Sequence, residues 1–356
     1  MLLNLHCTMN SQLKIIIMRQ IFTLSFCLFI ASTLFGQEDK LKELISQGIE
    51  YHDQGKYDEA ISRYKAALEL DKKSTLANYE LSYTYFVTKQ YDDAIKYSTI
   101  AIKQNSHNQH ESYSYVVLGS CLDLKGKPSK AIKTYEEGLS KFPNSNLLNY
   151  NLALTCYNQK DYEKAEKAAI NAIQAKPTHG SSHIILSATM QEKGQRIKSI
   201  LPLYYFLMIE PDSKRSLINY NSLRNQLGQG VEKKDDNNIN VNIPFSSSSS
   251  CEFGTAEMMI SLLAASHHTE ENKDKNDMEL FVETNRGIFS VLGELKKDNT
   301  GFWWDLYVTR FYDLVQSDNY EAYSYFISQS TKNELVNNWI TEHSEEMQKF
   351  VEWIKK

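Results

Sequence analysis

From Gly55 to Leu70 the chain reads GKYDEAISRYKAALEL, with apolar or small residues every three or four positions and charged residues between them. That is the period of an amphipathic helix. Nearly the same phrase returns as KQYDDAIKYSTIAIKQ from Lys89, GKPSKAIKTYEEGLSK from Gly126 and KDYEKAEKAAINAIQA from Lys160. Aligned on one small position, Ala60, Ala94, Ala131, Ala165 and Ser199 are separated by 34, 37, 34 and 34 residues. An upstream small position moves in step through Gly48, Ser82, Gly119, Ala153 and Ser187. A third series runs Ala67, Ala101, Gly138, Ala172 and breaks at Phe206, and the units end at Lys72, Ser106, Pro143, Pro177 and Pro211. A fixed period with small, aromatic and proline positions in register predicts stacked helical pairs, because one pair cannot bury its apolar face alone.

These phrases resemble tetratricopeptide repeats. The resemblance covers five units, Leu41–Ser74, Thr75–Asn108, Ser112–Ser145, Asn146–His179 and Gly180–Ser213, and is cleanest in ANYELSYTYFVTKQYDDAIKYSTIAI and LLNYNLALTCYNQKDYEKAEKAAINAI. It implies an all-α fold, a right-handed solenoid of about five helix pairs. KRSLINYNSLRNQLGQG, from Lys214, reads as a capping helix over 214–228. The resemblance also implies that the first helix of each pair lines a concave groove. Tyr79, Tyr83 and Phe86 of the second unit, Tyr113 of the third, and Tyr150 and Tyr157 of the fourth then become candidates for a partner-binding trough, with Asn151 and Asn158 nearby. Some members of the family clamp a C-terminal carboxylate with basic groove residues, which these positions lack. An aromatic trough suits an extended peptide or an amphipathic helix, since tyrosine offers apolar area and a hydroxyl. Packing of the same tyrosines inside the molecule is the competing expectation.

The pattern stops after the capping helix. VEKKDDNNINVNIPFSSSSS, within 229–252, is polar and serine-rich and reads as a linker, in which INVNI alternates like a short strand. Residues 253–356 read as a small helical C-terminal domain with helices near Glu257–His267, Met278–Lys297, Phe302–Gln316, Tyr320–Gln329 and Lys332–Lys355. In the last, Val336, Trp339, His343, Met347, Phe350 and Ile354 fall on one stripe. In GFWWDLYVTRFYDL, Trp303, Leu306, Phe311 and Leu314 suit a buried face, while Trp304 is either core or an exposed interface anchor.

At the other end, Lys14 and Arg19 precede IFTLSFCLFIASTLFG, the layout of a secretory signal over residues 1–36, with Met1 or Met18 as the start. An exported protein of the periplasm or outer envelope is expected, with no stable membrane span after cleavage. A net charge of −5 and a pI near 6.0 argue against a nucleic-acid partner. Cys121, Cys156 and Cys251 remain after cleavage, and they form neither a disulfide framework nor a zinc spacing. HNQHE from His107 and SHHTEEN around His267 lack the ligand number a metal needs, and GKPS at Gly126 lacks the upstream glycine of a phosphate loop. No catalytic residue, cofactor or metal is expected. The reading is a non-enzymatic adaptor holding a protein or peptide in the trough, with the C-terminal domain binding a second partner or closing the trough. The alternatives are an enzyme or enzyme subunit with a site in the C-terminal domain, for instance around His267, His268 and Glu270, and an envelope glycan-binding protein.

Overall fold

The computed structural model describes Met18 and residues 36–235, 238–242 and 251–355. The expected signal segment, apart from Met18 and Gly36, and the serine run Ser246–Ser250 lie outside the described residues. The chain divides into two compact units between Lys141 and Phe142.

The first unit holds three helical pairs: α1 (36–53) with α2 (Tyr57–Leu70), α3 (Thr75–Val87) with α4 (Tyr91–Lys103), and α5 (Gln109–Leu124) with α6 (Pro128–Lys141). The second unit continues with α7 (Asn146–Asn158) and α8 (Tyr162–Ala175), then α9 (Gly180–Glu192) and α10 (Arg196–Ile209). The fold is all-α in its repeats, and the predicted phase places every one of these helices. Within a pair the turn needs a left-handed residue. Gly55, Gly126 and Gly194 supply it, and Lys89 and Lys160 adopt the same conformation at φ 61° and 60°.

The small positions work by complementary volume. A Cβ added at Gly48 would stand 2.4 Å from Tyr64 Cε1, and one at Gly119 would stand 2.3 Å from Tyr135 Cε1. Both tyrosines are fully buried. The units with a larger residue at the glycine position carry a smaller one sixteen residues on: Ser82 with Ser98, and Ala153 with Ala169, all buried. A larger residue on one side of the contact thus goes with a smaller one than tyrosine on the other, as also for Ser187 with buried Leu203 in the fifth unit.

Inter-repeat turns are tied by a buried polar side chain reaching six residues back. Asn78 donates to Lys72 O at 3.1 Å and Asn149 to Pro143 O at 3.2 Å, and His183 Nε2 lies 2.8 Å from Pro177 O. In the longer turn before α5, fully buried Glu111 accepts from His107 N–H and pairs with Lys141 at 2.8 Å. That pairing holds its carboxyl below the usual range against the opposing effect of burial.

The fifth repeat departs most, and the C-terminal helices explain why. From Ile200 to Met208 α10 is apolar on all sides and, apart from half-buried Tyr205, buried on all sides. Phe206, at an expected alanine position, fits because Gly180 lies opposite, where a Cβ would come within 3.0 Å of its ring. α11 (Lys214–Gly228) follows, then a hairpin of β1 (Val231–Asp235) and β2 (Asn238–Val241). The predicted INVNI strand is thus real, and its partner is the stretch VEKKD read as linker. Gly230 at φ 85° starts the hairpin, since a Cβ there would meet Asn242 O. Both strands pack on α12 (Gly254–Ser266).

The remaining helices are α13 (Asp277–Leu295), α14 (Thr309–Gln316), α15 (Tyr320–Phe326), α16 (Glu334–Glu342) and α17 (Ser344–Ile354). A π-helical turn, Trp303–Val308, leads into α14 and lets Trp303, Trp304 and Tyr307 all be buried. Trp304 is core rather than an exposed anchor: its indole donates to Glu252 at 2.6 Å and its ring stacks on Phe253 at 4.6 Å. The continuous helix expected over Lys332–Lys355 is broken at His343. Its ring stacks on Trp339 at 4.3 Å, and Trp339 stacks in turn on Tyr325 at 4.2 Å. α13, α14 and α15 gather around Tyr204 of α10, whose hydroxyl donates to Asn285 at 2.6 Å and whose ring meets Phe289 and Phe311.

Candidate functional site

The first helices α3 and α5 keep part of their surface out of the core. Leu81, Ser82 and Tyr85 face inward on α3, whereas Tyr79 and Phe86 are half-buried and Tyr83 is 38% exposed. Spacing of three and four residues sets these three rings on one side. Tyr79 and Tyr83 stack with centroids 6.2 Å apart, Tyr83 and Phe86 at 6.4 Å, and Tyr113 of α5 joins Tyr79 at 5.5 Å. The structure therefore brings together all four candidates that fall in the first unit.

Two histidines complete the strip, and neither was among the residues expected there from sequence. His52, at the end of α1, stacks on Tyr83 at 5.3 Å and meets Tyr57 edge-on at 5.2 Å. His110 lies 5.7 Å from Tyr79 and 6.5 Å from Tyr113. The available signal was the repeat phase itself, because His52 follows the groove positions of the first unit and His110 opens α5. His52 Nδ1 is 2.8 Å from Thr84 Oγ1, and that hydroxyl donates to Glu80 O, so the imidazole is the donor of the pair. His110 Nδ1 is buried without a hydrogen-bond partner. Burial holds both histidines below their ordinary range, which keeps them neutral near pH 7.

Glu80 is the electrostatic centre of this face. It is half-buried, and among the described residues no basic side chain forms an ion pair with it. Burial first, and then the Asp53 charge, push its carboxyl up to about 7. Burial and the Glu80 charge also raise the Tyr79 hydroxyl well above its usual range.

In the second unit the remaining candidates are placed on α7. Tyr150 meets His179 edge-on at 5.1 Å, and Tyr157 meets Tyr162 at 5.9 Å. The Asn151 amide donates to Leu147 O at 2.8 Å, within its own helix, and Asn158 is the exposed last residue of α7. The other chemistry considered from sequence is dispersed. His267 turns to Thr284 Oγ1 at 2.9 Å, while Glu270 pairs with Lys273. Burial pushes the Cys121 thiol up to about 12, and Cys156 is buried too. Among the described residues no three His, Cys, Asp or Glu side chains gather as a metal site, and no helix is long and apolar enough to cross a membrane.

This is the layout of a helical-repeat protein. The repeats are tetratricopeptide repeats: one family model, described as TPR repeat, matches residues 48–88, and a second, described as tetratricopeptide repeat, matches residues 125–179. A curated relative is the BBSome complex member BBS4 of Bos taurus, 29% identical over 140 residues, or 39% of this chain. The match spans only 26% of that protein's length. Similar solved structures include pilF of Pseudomonas aeruginosa, with 16% identity, 54% of this chain and 88% of that chain covered, and a TM-score of 0.47. Another is YrrB, described as a TPR protein with an unusual peptide-binding site, with 19% identity, 51% and 90% covered, and a TM-score of 0.40.

Proposed function

We propose that this protein is an exported, non-enzymatic adaptor that holds a peptide or an extended segment of a partner protein against the aromatic strip of its first unit. The observation that carries the reading is the run Tyr57, His52, Tyr83, Tyr79 and Tyr113, in ring-to-ring contact yet left partly open to solvent. Tyrosine at such positions supplies contact area with little side-chain entropy to lose, which favours it at binding surfaces. The repeat class supports the same role, since stacked repeats present extended faces to partners. The basic and apolar leader expected over residues 1–36 supports export to the periplasm or outer envelope.

The test is crosslinking and pull-down of the mature protein from the envelope of its host, beside a variant carrying Tyr79→Ala, Tyr83→Ala and Tyr113→Ala with its helicity verified. A partner captured by the native chain and lost in the variant supports the reading. An unchanged set of captured proteins sinks it and moves attention to the C-terminal helices. Fractionation that leaves the mature chain in the cytoplasm would remove the exported part of the proposal alone.

A further inference from the structure

The adaptor reading leaves the chemistry of the bound segment open, and the charges around the strip narrow it. α3 and α5 carry Glu80, Glu111 and Asp123 and no lysine or arginine. Glu111 is committed to Lys141. Among the described residues Glu80 has no ion-pair partner, and exposed Asp53 lies at the end of α1, next to His52. Basic residues of this unit's pairs sit on the second helices, among them Arg63 and Lys65 on α2, Lys96 on α4 and Lys133 on α6, at the start of α1, where Lys42 and Lys40 pair with Glu38 and Glu43, and in the turns, where Lys56 donates to Gln54 and Lys125 pairs with Asp92. The neutral histidines add no opposing charge to the face.

On that juxtaposition, and resting on the reading above, we infer that the strip is specific for a segment bearing a lysine or arginine, whose cation pairs with Glu80 and Asp53 while its stem lies along Tyr79 and Tyr83. Three properties meet there. A half-buried carboxylate without a partner is the group that gains most when a cation arrives, because the cation offsets the desolvation already imposed on it. Tyrosine faces attract ammonium and guanidinium groups, and a guanidinium also stacks on them. The apolar stems of lysine and arginine cover ring surface while the charged head reaches the carboxylates.

The experiment is a selection of random peptides displayed on phage against the full mature chain, run in parallel on Glu80→Gln, on Asp53→Asn and on the triple tyrosine variant. The expected result is a several-fold enrichment of lysine or arginine at one position of the peptides selected by the native chain. A synthetic peptide of that sequence should bind Glu80→Gln about tenfold more weakly or worse, as loss of a charge-assisted contact demands. Asp53→Asn, at an exposed site outside the fold's core, should weaken the same peptide in the same direction without any effect on helicity. Peptides selected without basic enrichment, or an equal affinity for Glu80→Gln, overturn the cation assignment while the tyrosine-dependent binding still supports the adaptor. Acidic enrichment overturns it outright. A failure of the native chain to select any peptide above the triple variant overturns both readings together.

Discussion

Changing Glu80 to glutamine should stabilise the first unit, with an effect that grows from about pH 4.5 and is full above about 7. In the folded chain the carboxyl titrates near 7, against 4.5 for an unperturbed glutamate, because α3 holds it half out of water with Asp53 close by. Each tenfold change in a group's proton affinity corresponds to about 1.4 kcal/mol of difference between its protonated and ionised forms. Native stability is therefore lower by about 3 kcal/mol once the carboxyl is ionised in both folded and unfolded chains. The sign follows from which state binds the proton. Below about pH 4.5 both states hold it and there is no penalty; between there and about 7 the unfolded chain releases it first, so the folded state loses ground as pH rises. Glutamine keeps the shape and cannot ionise. Every tryptophan lies beyond residue 300, so fluorescence would report only the second unit. Amide hydrogen exchange of Thr75–Val87, corrected for intrinsic rates, reads α3 directly. Wild type and variant should be about equally protected near about pH 4, with the variant protected on the order of a hundredfold better near about pH 8. A variant less protected at about pH 8, or a difference identical at both pH values, would refute the electrostatic argument.

In the second unit the sign is reversed: His183, fully buried and pushed down to about 4 by desolvation, makes stability fall as pH drops from about 6.5 towards 4. His183→Asn, borrowing the residue that does the same job at position 149, should flatten that slope in urea melts followed by tryptophan fluorescence. Gly48→Ser should destabilise by about 1–3 kcal/mol through the clash with Tyr64, and Tyr64→Ser by more, through the void it leaves. The double variant reproduces the Ser82 and Ser98 pairing of the next repeat, and should cost at least about 1 kcal/mol less than the sum of the singles; strict additivity would show the two sites do not share one volume. Lys141→Met strips the cation from buried Glu111, and should cost about 1–3 kcal/mol at neutral pH in hydrogen exchange of α5, with the loss shrinking once acid protonates the carboxyl. A loss unchanged in acid would contradict that assignment.

What was legible in the sequence is what repeats. The spacing of Ala60, Ala94, Ala131 and Ala165 carries the phase, and every helix from α2 to α10 follows from it, because small-residue contacts within a pair are local and recur. The aromatic candidates on α3 and α5 were legible for the same reason. The repeat phase sets His52 and His110 beside the groove positions, but their ring contacts and the desolvation of Glu80 arise between helices of different repeats, which no single phrase encodes. α10 did carry a signal of its own. After its first turn RIKSILPLYYFLMI has no polar side, which already requires a second layer of helices to cover it. The break at His343 was invisible to periodicity, since Trp339 and His343 keep helical spacing up to the residue where the helix ends.

The glycine–tyrosine pairs also constrain how such a chain can change over generations. A mutation enlarging Gly48 first must pass through a molecule with a clash, and one shrinking Tyr64 first through a molecule with a hole. Neither half of the pair is a free step, so the shortest route between the two packings found in this chain is to copy a whole repeat with both residues already matched. Repeat arrays built this way would drift by duplication and loss of complete units more readily than by substitution inside one.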